Sequence, residues 1–267
     1  MAVQLEQRPL DEAATTILET GVRPERSFGW RDLLTPAICA VLVVTEIWYI
    51  STRELDAIES SQLEASKLWD QTVQHIWISV AIAGMVLGVA IPLGVLVTRR
   101  RTRWIAPVVL LIGNVGQAAP TVGLLAIVGG FWLGFWAVAL ILGAYAMLAV
   151  LRNTIVGLQQ VDPGVLDAAR GMGMSPTAIL FRVEFPLAVP VIGAGARTAL
   201  VLAVATVPLG QNLGAGGLGA TLFAGIGQNR DVTIVAASLF IATLAVLMDW
   251  AGGMVQRLLT PKGIRIA

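Results

Sequence analysis

Six apolar runs, each close to the ~20 residues that a helix needs to cross a bilayer, occupy about 34 to 51, 76 to 98, 105 to 129, 133 to 151, 187 to 207 and 233 to 256. Nothing else in the chain restricts its fold so far. Backbone polar groups inside hydrocarbon must be satisfied within the chain, and runs of this length do so as helices. The expected fold class is all-α, a polytopic membrane protein of about six transmembrane helices. Of the 267 residues 56% are hydrophobic and 13% charged, about half the charged share of an ordinary soluble domain.

Lys and Arg are retained on the cytoplasmic side of a membrane protein, so the connections set the orientation. With the amino terminus inside, the inner segments carry fourteen basic residues, among them Arg99, Arg100, Arg101, Arg103, Arg152, Arg170, Arg182 and Arg257. The outer segments carry three, Arg53, Lys67 and Arg230, and Arg197 falls inside a span. Both termini are therefore expected in the cytoplasm. The division that follows is a tail over 1–32, a transmembrane domain over 33–258 with a cytoplasmic loop at about 152–186, and a second tail over 259–267. The first 30 residues intersperse Glu6, Arg8, Asp11, Glu12, Glu19, Arg23 and Arg26, unlike the compact apolar core of a signal peptide. A short amphipathic helix around Leu10, Ala14, Ile17 and Leu18 is expected there. A net charge of +1 offers nothing to nucleic acid, and the single cysteine, Cys39, permits no intrachain disulfide.

The inner loop is the one segment that life in a membrane does not explain. Asp162-Pro163 has the form of a helix start, with Asp as N-cap and Pro at the first helical position. Val165, Ala168, Ala169 and Met172 then share a face by their spacing, and Gly173 ends the helix. Ser175-Pro176 repeats the start signal, Ile179, Leu180 and Val183 share a face, and Pro186 is expected to stop the element before the next span. Two short helices joined at a glycine make a knob with small residues at its tip, the shape of something that docks in a cleft. A helix lying on the lipid surface would want more Lys and Arg than Arg170 and Arg182.

Two spans are interrupted. Asn114, Gln117, Pro120 and Thr121 place polar groups and a Pro inside the third run. Such features suit either a face toward a wet pathway or helix packing with a structural kink. From Pro208 to Gly219 the chain reads PLGQNLGAGGLG. So many glycines permit positive φ and close backbone approach, which makes this a tight outer turn, with Gln211, Asn212, Gly214, Gly216, Gly217 and Gly219 as candidates for an outer gate. Ionisable residues within spans are costly and point to function or a partner. Arg197 and Asp249 lie at similar depth, as a buried intramolecular pair or as substrate-facing groups. Glu46, near the outer end of the first span, either snorkels to interfacial water or serves transport. Trp30, Trp48, Trp77, Trp104, Trp132 and Trp136 fall near span ends, as an aromatic belt does.

Asp167-Ala168-Ala169, three residues, Gly173, nine residues, then Val183-Glu184-Phe185-Pro186 resembles the EAA loop of bacterial ABC importer permeases. That pattern runs Glu-Ala-Ala, three residues, Gly, nine residues, Ile, any residue, Leu-Pro. The spacing matches throughout, with Asp167 for Glu, Val183 for Ile and Phe185 for Leu. The flanking Leu151-Arg152-Asn153-Thr154, Ala168-Ala169-Arg170-Gly171-Met172-Gly173-Met174, Ala194-Gly195-Ala196-Arg197-Thr198-Ala199 and the glycines of 214–219 are similar to the glycine betaine, carnitine and choline branch. The likeness covers roughly residues 70 to 258. It implies the type I importer transmembrane fold in a bacterial inner membrane. The implied partners are a second permease subunit, identical or paralogous, an ABC ATPase dimer gripping the docking loops through residues 167–173 and Pro186, and an extracytoplasmic binding protein that delivers an osmoprotectant. ATP and Mg would be bound by that ATPase, since this chain has no GxxxxGK[ST] phosphate loop. A methionine importer permease is the alternative, because that branch also resembles the EAA loop and the outer turn.

Other classes fit poorly. His75 is the only histidine, and neither HExxH nor GxSxG is present, so no catalytic residue and no metal site is expected and an intramembrane enzyme lacks its groups. An ion-coupled secondary carrier would show repeats or a cluster of intramembrane acids. Neither is seen, and the docking loop would be left unexplained.

Overall fold

The computed structural model describes residues 30–260, and helix is the only regular secondary structure among them. The amphipathic helix expected around Leu10 to Leu18 and most of the carboxy-terminal tail lie outside the described residues. A short 3-10 turn leads into α1 (Leu34–Ser51), followed by α2 (Ala57–Gln62) and α3 (Ala65–Thr98). Next come α4 (Ala106–Ala118), α5 (Thr121–Gly129) and α6 (Phe135–Gln159). The chain continues through α7 (Pro163–Gly171), α8 (Pro176–Ile179) and α9 (Phe185–Thr206), and closes with α10 (Gly219–Gly227) and α11 (Asp231–Leu259).

Five helical segments are long and apolar enough to span a membrane, and a sixth crossing is broken. That sixth is the run at 105–129, where α4 and α5 meet at 84°. The break has a local cause. Pro120 has no N–H to donate, and the residue before a proline avoids the helical region; Ala119 is extended, with φ −66° and ψ 137°. A second difference from the expected spans is the start of α3, at Ala65 rather than near 76. Its first turns carry polar residues that hydropathy discounts and that tertiary partners satisfy. A third concerns Pro186, expected to stop the loop. The chain instead runs helical from Pro176 to Leu213, with a π-helical turn at Leu180–Glu184 placed just ahead of that proline. The wider turn accommodates the missing donor without ending the helix.

The core is the α3, α6 and α9 layer, where Ile82, Val86, Ala90, Leu142, Ala146 and Ala203 are all but inaccessible. Small residues let the backbones close in. A Cβ at Gly195 would sit 2.7 Å from Asn153 Cβ and 3.0 Å from the Ala149 carbonyl, and one at Gly94 would sit 2.6 Å from Thr154 Cγ2. α11 packs on the far side of α9, and α1 lies outermost against α11. Most of α1 faces outward, with Ile38, Val41, Val44 and Trp48 exposed and Cys39 and Glu46 turned in. At one end of the bundle lie the arginines after α3 and the α7–α8 knob. The opposite end carries the 207–219 turn and an ion pair from Arg230 to Asp56 that ties the α1–α3 and α10–α11 connections together.

Candidate functional site

The α7–α8 knob is built from local signals. Asp162 accepts a hydrogen bond from the Gly164 N–H at 2.7 Å with Pro163 opening the helix, and Ser175 Oγ accepts from the Ala178 N–H at 3.3 Å with Pro176 in the same role. Between them Gly173, at φ +80°, closes a Schellman motif: its N–H reaches the Arg170 carbonyl at 2.9 Å and the Met174 N–H reaches Ala169 at 3.2 Å. Of the face expected from Val165, Ala168, Ala169 and Met172, only Ala169 turns inward, alongside the half-buried Leu166. Val165, Ala168 and Met172 are open, Met172 at 75%. Asp167 and Arg170 pair along the helix at 2.5 Å and stay 70% and 63% exposed. Such a pair contributes little to stability. Gly171 is also open, and a Cβ there would meet nothing within 4 Å. A largely apolar helix face with one paired acid and base is thus presented outward, with almost none of it used by the fold.

One side chain anchors this knob, and sequence reasoning passed over it. Glu184, in the π-turn and nearly buried, receives a 2.7 Å charge-assisted hydrogen bond from Arg99 at the end of α3. It occupies the position where the resembling pattern accepts any residue.

At the opposite end, α9 runs into a 3-10 turn at Val207–Leu213. Gly214, Gly216 and Gly217 follow with φ near +80°, +80° and +70° (82°, 83° and 72°), values that only glycine adopts cheaply. Three residues on one face of α3 hold the turn and the helices on either side of it. Gln74 Oε1 accepts the Gly217 N–H at 2.9 Å, and Gln71 Oε1 accepts the Thr221 hydroxyl at 2.6 Å. Next to them the fully buried His75 sets Nε2 2.9 Å from the Val204 carbonyl. A Cβ at Gly216 would collide with the Gln74 amide, and one at Gly219 would lie 2.7 Å from Pro208 Cα. Gln211 and Asn212 do not act together: Gln211 buries its Oε1 without a partner among the described residues, whereas Asn212 is exposed. The helical spacing of Gln71, Gln74 and His75 was a signal available in the sequence, hidden by starting the span at 76.

Among the interrupted-span residues, Asn114 is exposed and accepts a 2.6 Å hydrogen bond from Arg152 on α6. Gln117 and Thr121 are half-buried and Pro120 is exposed at the break. They lie apart from the outer turn, which α5 reaches only at its far end, where Gly129 abuts Leu213.

Arg197 on α9 and Asp249 on α11 come together in a two-point contact, Nε to Oδ1 at 3.1 Å and a terminal guanidinium nitrogen to Oδ2 at 2.5 Å. They are not buried. Their side chains are 36% and 42% exposed on the wall of a groove of about 590 Å³ between the two helices. Glu46 does not snorkel to interfacial water: it is 2% exposed and turned toward α11, where the Phe240 backbone is a polar neighbour but neither oxygen completes a hydrogen bond among the described residues. The six tryptophans expected at span ends are all exposed, as lipid headgroup anchors are. Among the described residues no group of His, Cys, Asp and Glu is arranged to hold a metal.

Comparison with known proteins adds the following. The model of the family described as binding-protein-dependent transport system inner membrane component matches residues 90–261. The osmoprotectant import permease protein OsmW of Salmonella typhimurium is 34% identical over 79% of this chain and all of its own length. The carnitine transport permease protein OpuCB of Listeria monocytogenes is 35% identical over 80% of this chain and 98% of its own. The choline transport system permease protein OpuBB of Bacillus subtilis is 32% identical over 78% and 95%. In structure, a chain of the inward-facing MetNI methionine ABC transporter superposes with a TM-score of 0.63 at 23% identity, covering 73% of this chain and 96% of that one, a likeness of fold.

Proposed function

Because this chain belongs to the family of binding-protein-dependent transport system inner membrane components, the permease subunits of ABC importers, we propose that it forms half of the pathway for a small osmoprotectant. The substrate is a quaternary ammonium or zwitterion of the glycine betaine, choline or carnitine type. The observation that carries the reading is sequence identity of 32–35% across nearly the whole of relatives named for osmoprotectant, carnitine or choline transport. The methionine transporter shares the fold at lower identity, and methionine is the second substrate to test.

In this reading both termini and the α7–α8 knob face the cytoplasm. The exposed Val165, Asp167, Ala168, Gly171 and Met172 face enters a cleft of an ABC ATPase, one of a dimer that binds ATP and Mg and carries out the hydrolysis. A second permease subunit completes the pathway. An extracytoplasmic binding protein docks at the 207–219 turn, and an aromatic cage within that binding protein can hold the ammonium group, so the permease needs only a weak path. ATP-driven closure of the ATPases draws the two knobs together. The motion enters α9 directly, since the helix is continuous with α8, and enters α3 through Arg99 and Glu184. Rigid-body tilting of these helices alternates access.

The test is ATPase activity of the reconstituted permease–ATPase complex with its binding protein. Stimulation by binding protein loaded with glycine betaine, carnitine or choline, and not with methionine, is expected. Stimulation by methionine alone would move the chain to the other branch.

A further inference from the structure

The groove between α9 and α11 is lined from positions 194–202 and 245–249, inside both long apolar helices rather than at their ends, and its wall holds the Arg197–Asp249 guanidinium–carboxylate pair. Apart from Arg197, Thr198 and Asp249, its lining is aliphatic, from Val201, Leu202 and Val246 among others. Its volume lies in the range of small-ligand sites. Two glycines of α11 shape the berth of the arginine: a Cβ at Gly252 would lie 3.1 Å from Arg197 Cγ, and one at Gly253 3.4 Å from Cζ. The guanidinium therefore lies along bare backbone, with its edge and the carboxylate open to the groove. Charges at this depth face water or protein rather than lipid, and a groove of this size admits water.

We propose that this groove is a transient site for a zwitterion, whose carboxylate takes Arg197 while its ammonium takes Asp249. This rests on the osmoprotectant reading and narrows it. A zwitterion can exchange with the internal pair so that each charge keeps an opposite partner throughout, and no uncompensated ion is left in the membrane interior. A bare cation satisfies Asp249 and strands Arg197; an anion does the reverse. The site therefore favours betaine-like molecules over choline by charge balance alone. The lining residues include no aromatic side chain, so no cage traps the ligand and release stays fast.

The test uses the native single cysteine to advantage. Cys39 is buried, and in a Cys39→Ala background Thr198→Cys places a thiol on the groove wall. The permease–ATPase complex in liposomes, without binding protein, is treated with a charged, water-soluble methanethiosulfonate, which reacts with a thiolate in water. Modification is expected, slowed by glycine betaine and needing about tenfold more choline for equal protection, the equivalent of 1.4 kcal/mol. Adding Arg197→Gln with Asp249→Asn should erase the difference between the two ligands. Lack of modification, equal protection by the two, or protection unchanged in the doubly neutral variant overturns the site. Should that variant not assemble, the betaine-to-choline ratio of the parent still decides. Binding-protein-dependent uptake of glycine betaine is measured alongside: its loss in the unmodified complex would count against the osmoprotectant reading, whereas intact uptake with no protection rejects only the groove.

Discussion

At the scale of single residues, partnership decides what each intramembrane charge is worth. Arg197 and Asp249 hold one another in a half-exposed groove, so removing one member should cost less than the ~3 to 5 kcal/mol typical of a fully buried pair and more than an exposed surface pair. A double-mutant cycle of Arg197→Met and Asp249→Leu on thermal stability in detergent is expected to show coupling, with the double variant more stable than the sum of single losses allows. Strictly additive losses would contradict the pairing. Glu46 is the opposite case, a buried carboxyl that faces the Phe240 backbone and completes no hydrogen bond among the described residues. Replacing it with Met, similar in volume and free of polar atoms, should raise the melting temperature, because the desolvation cost of the unpaired group disappears. A lower melting temperature would mean that the carboxylate has a stabilising partner. Residue-level pairings were the least legible part of the sequence. Matched depth put Arg197 with Asp249, but Arg99 with Glu184 and Gln74 with Gly217 join positions 85 and 143 apart in the chain, with no local signal to link them.

At the scale of elements, the two helices of the knob were readable because the signals that shape them are local, whereas the Arg99–Glu184 contact that anchors them is not. Asp162-Pro163, Gly173 and Ser175-Pro176 each act within one helical turn, by capping and by a left-handed C-terminal residue. Pro186 misled for the complementary reason: a proline ends an isolated helix, but a π-turn just ahead of it and the packing of α9 let this one continue. Gly171 separates docking from folding better than Gly173, since it has an ordinary helical backbone and open space around it. Gly171→Ala should stabilise the helix by about 0.5 to 1 kcal/mol with the ATPase still bound, while Gly171→Trp should insert normally and lose ATPase association. Copurification of Gly171→Trp at wild-type yield with full stimulated ATPase activity would show the knob to be elsewhere than in the cleft. The outer turn makes its own prediction. Gln74→Leu removes the acceptor for the Gly217 N–H, so uptake driven by binding protein should fall sharply while ATPase association is unchanged; normal uptake would make the turn a mere connector.

At the scale of the whole molecule, a helical layer of α3, α6 and α9 connects the α7–α8 knob at one end to the 207–219 turn at the other, and the long apolar runs made that architecture legible before any contact was known. The broken crossing of α4 and α5 was legible as an interruption but not as an 84° bend, because proline chemistry specifies where a helix breaks and the surrounding packing specifies the angle. Transport by this architecture should depend on nucleotide rather than on an ion gradient. The direct measurement is uptake of labelled glycine betaine into proteoliposomes holding the permease, its ATPase and its binding protein. Uptake that requires hydrolysable ATP and continues when all ion gradients are collapsed is the predicted result, and uptake that persists without ATP on an imposed proton or sodium gradient would contradict the account.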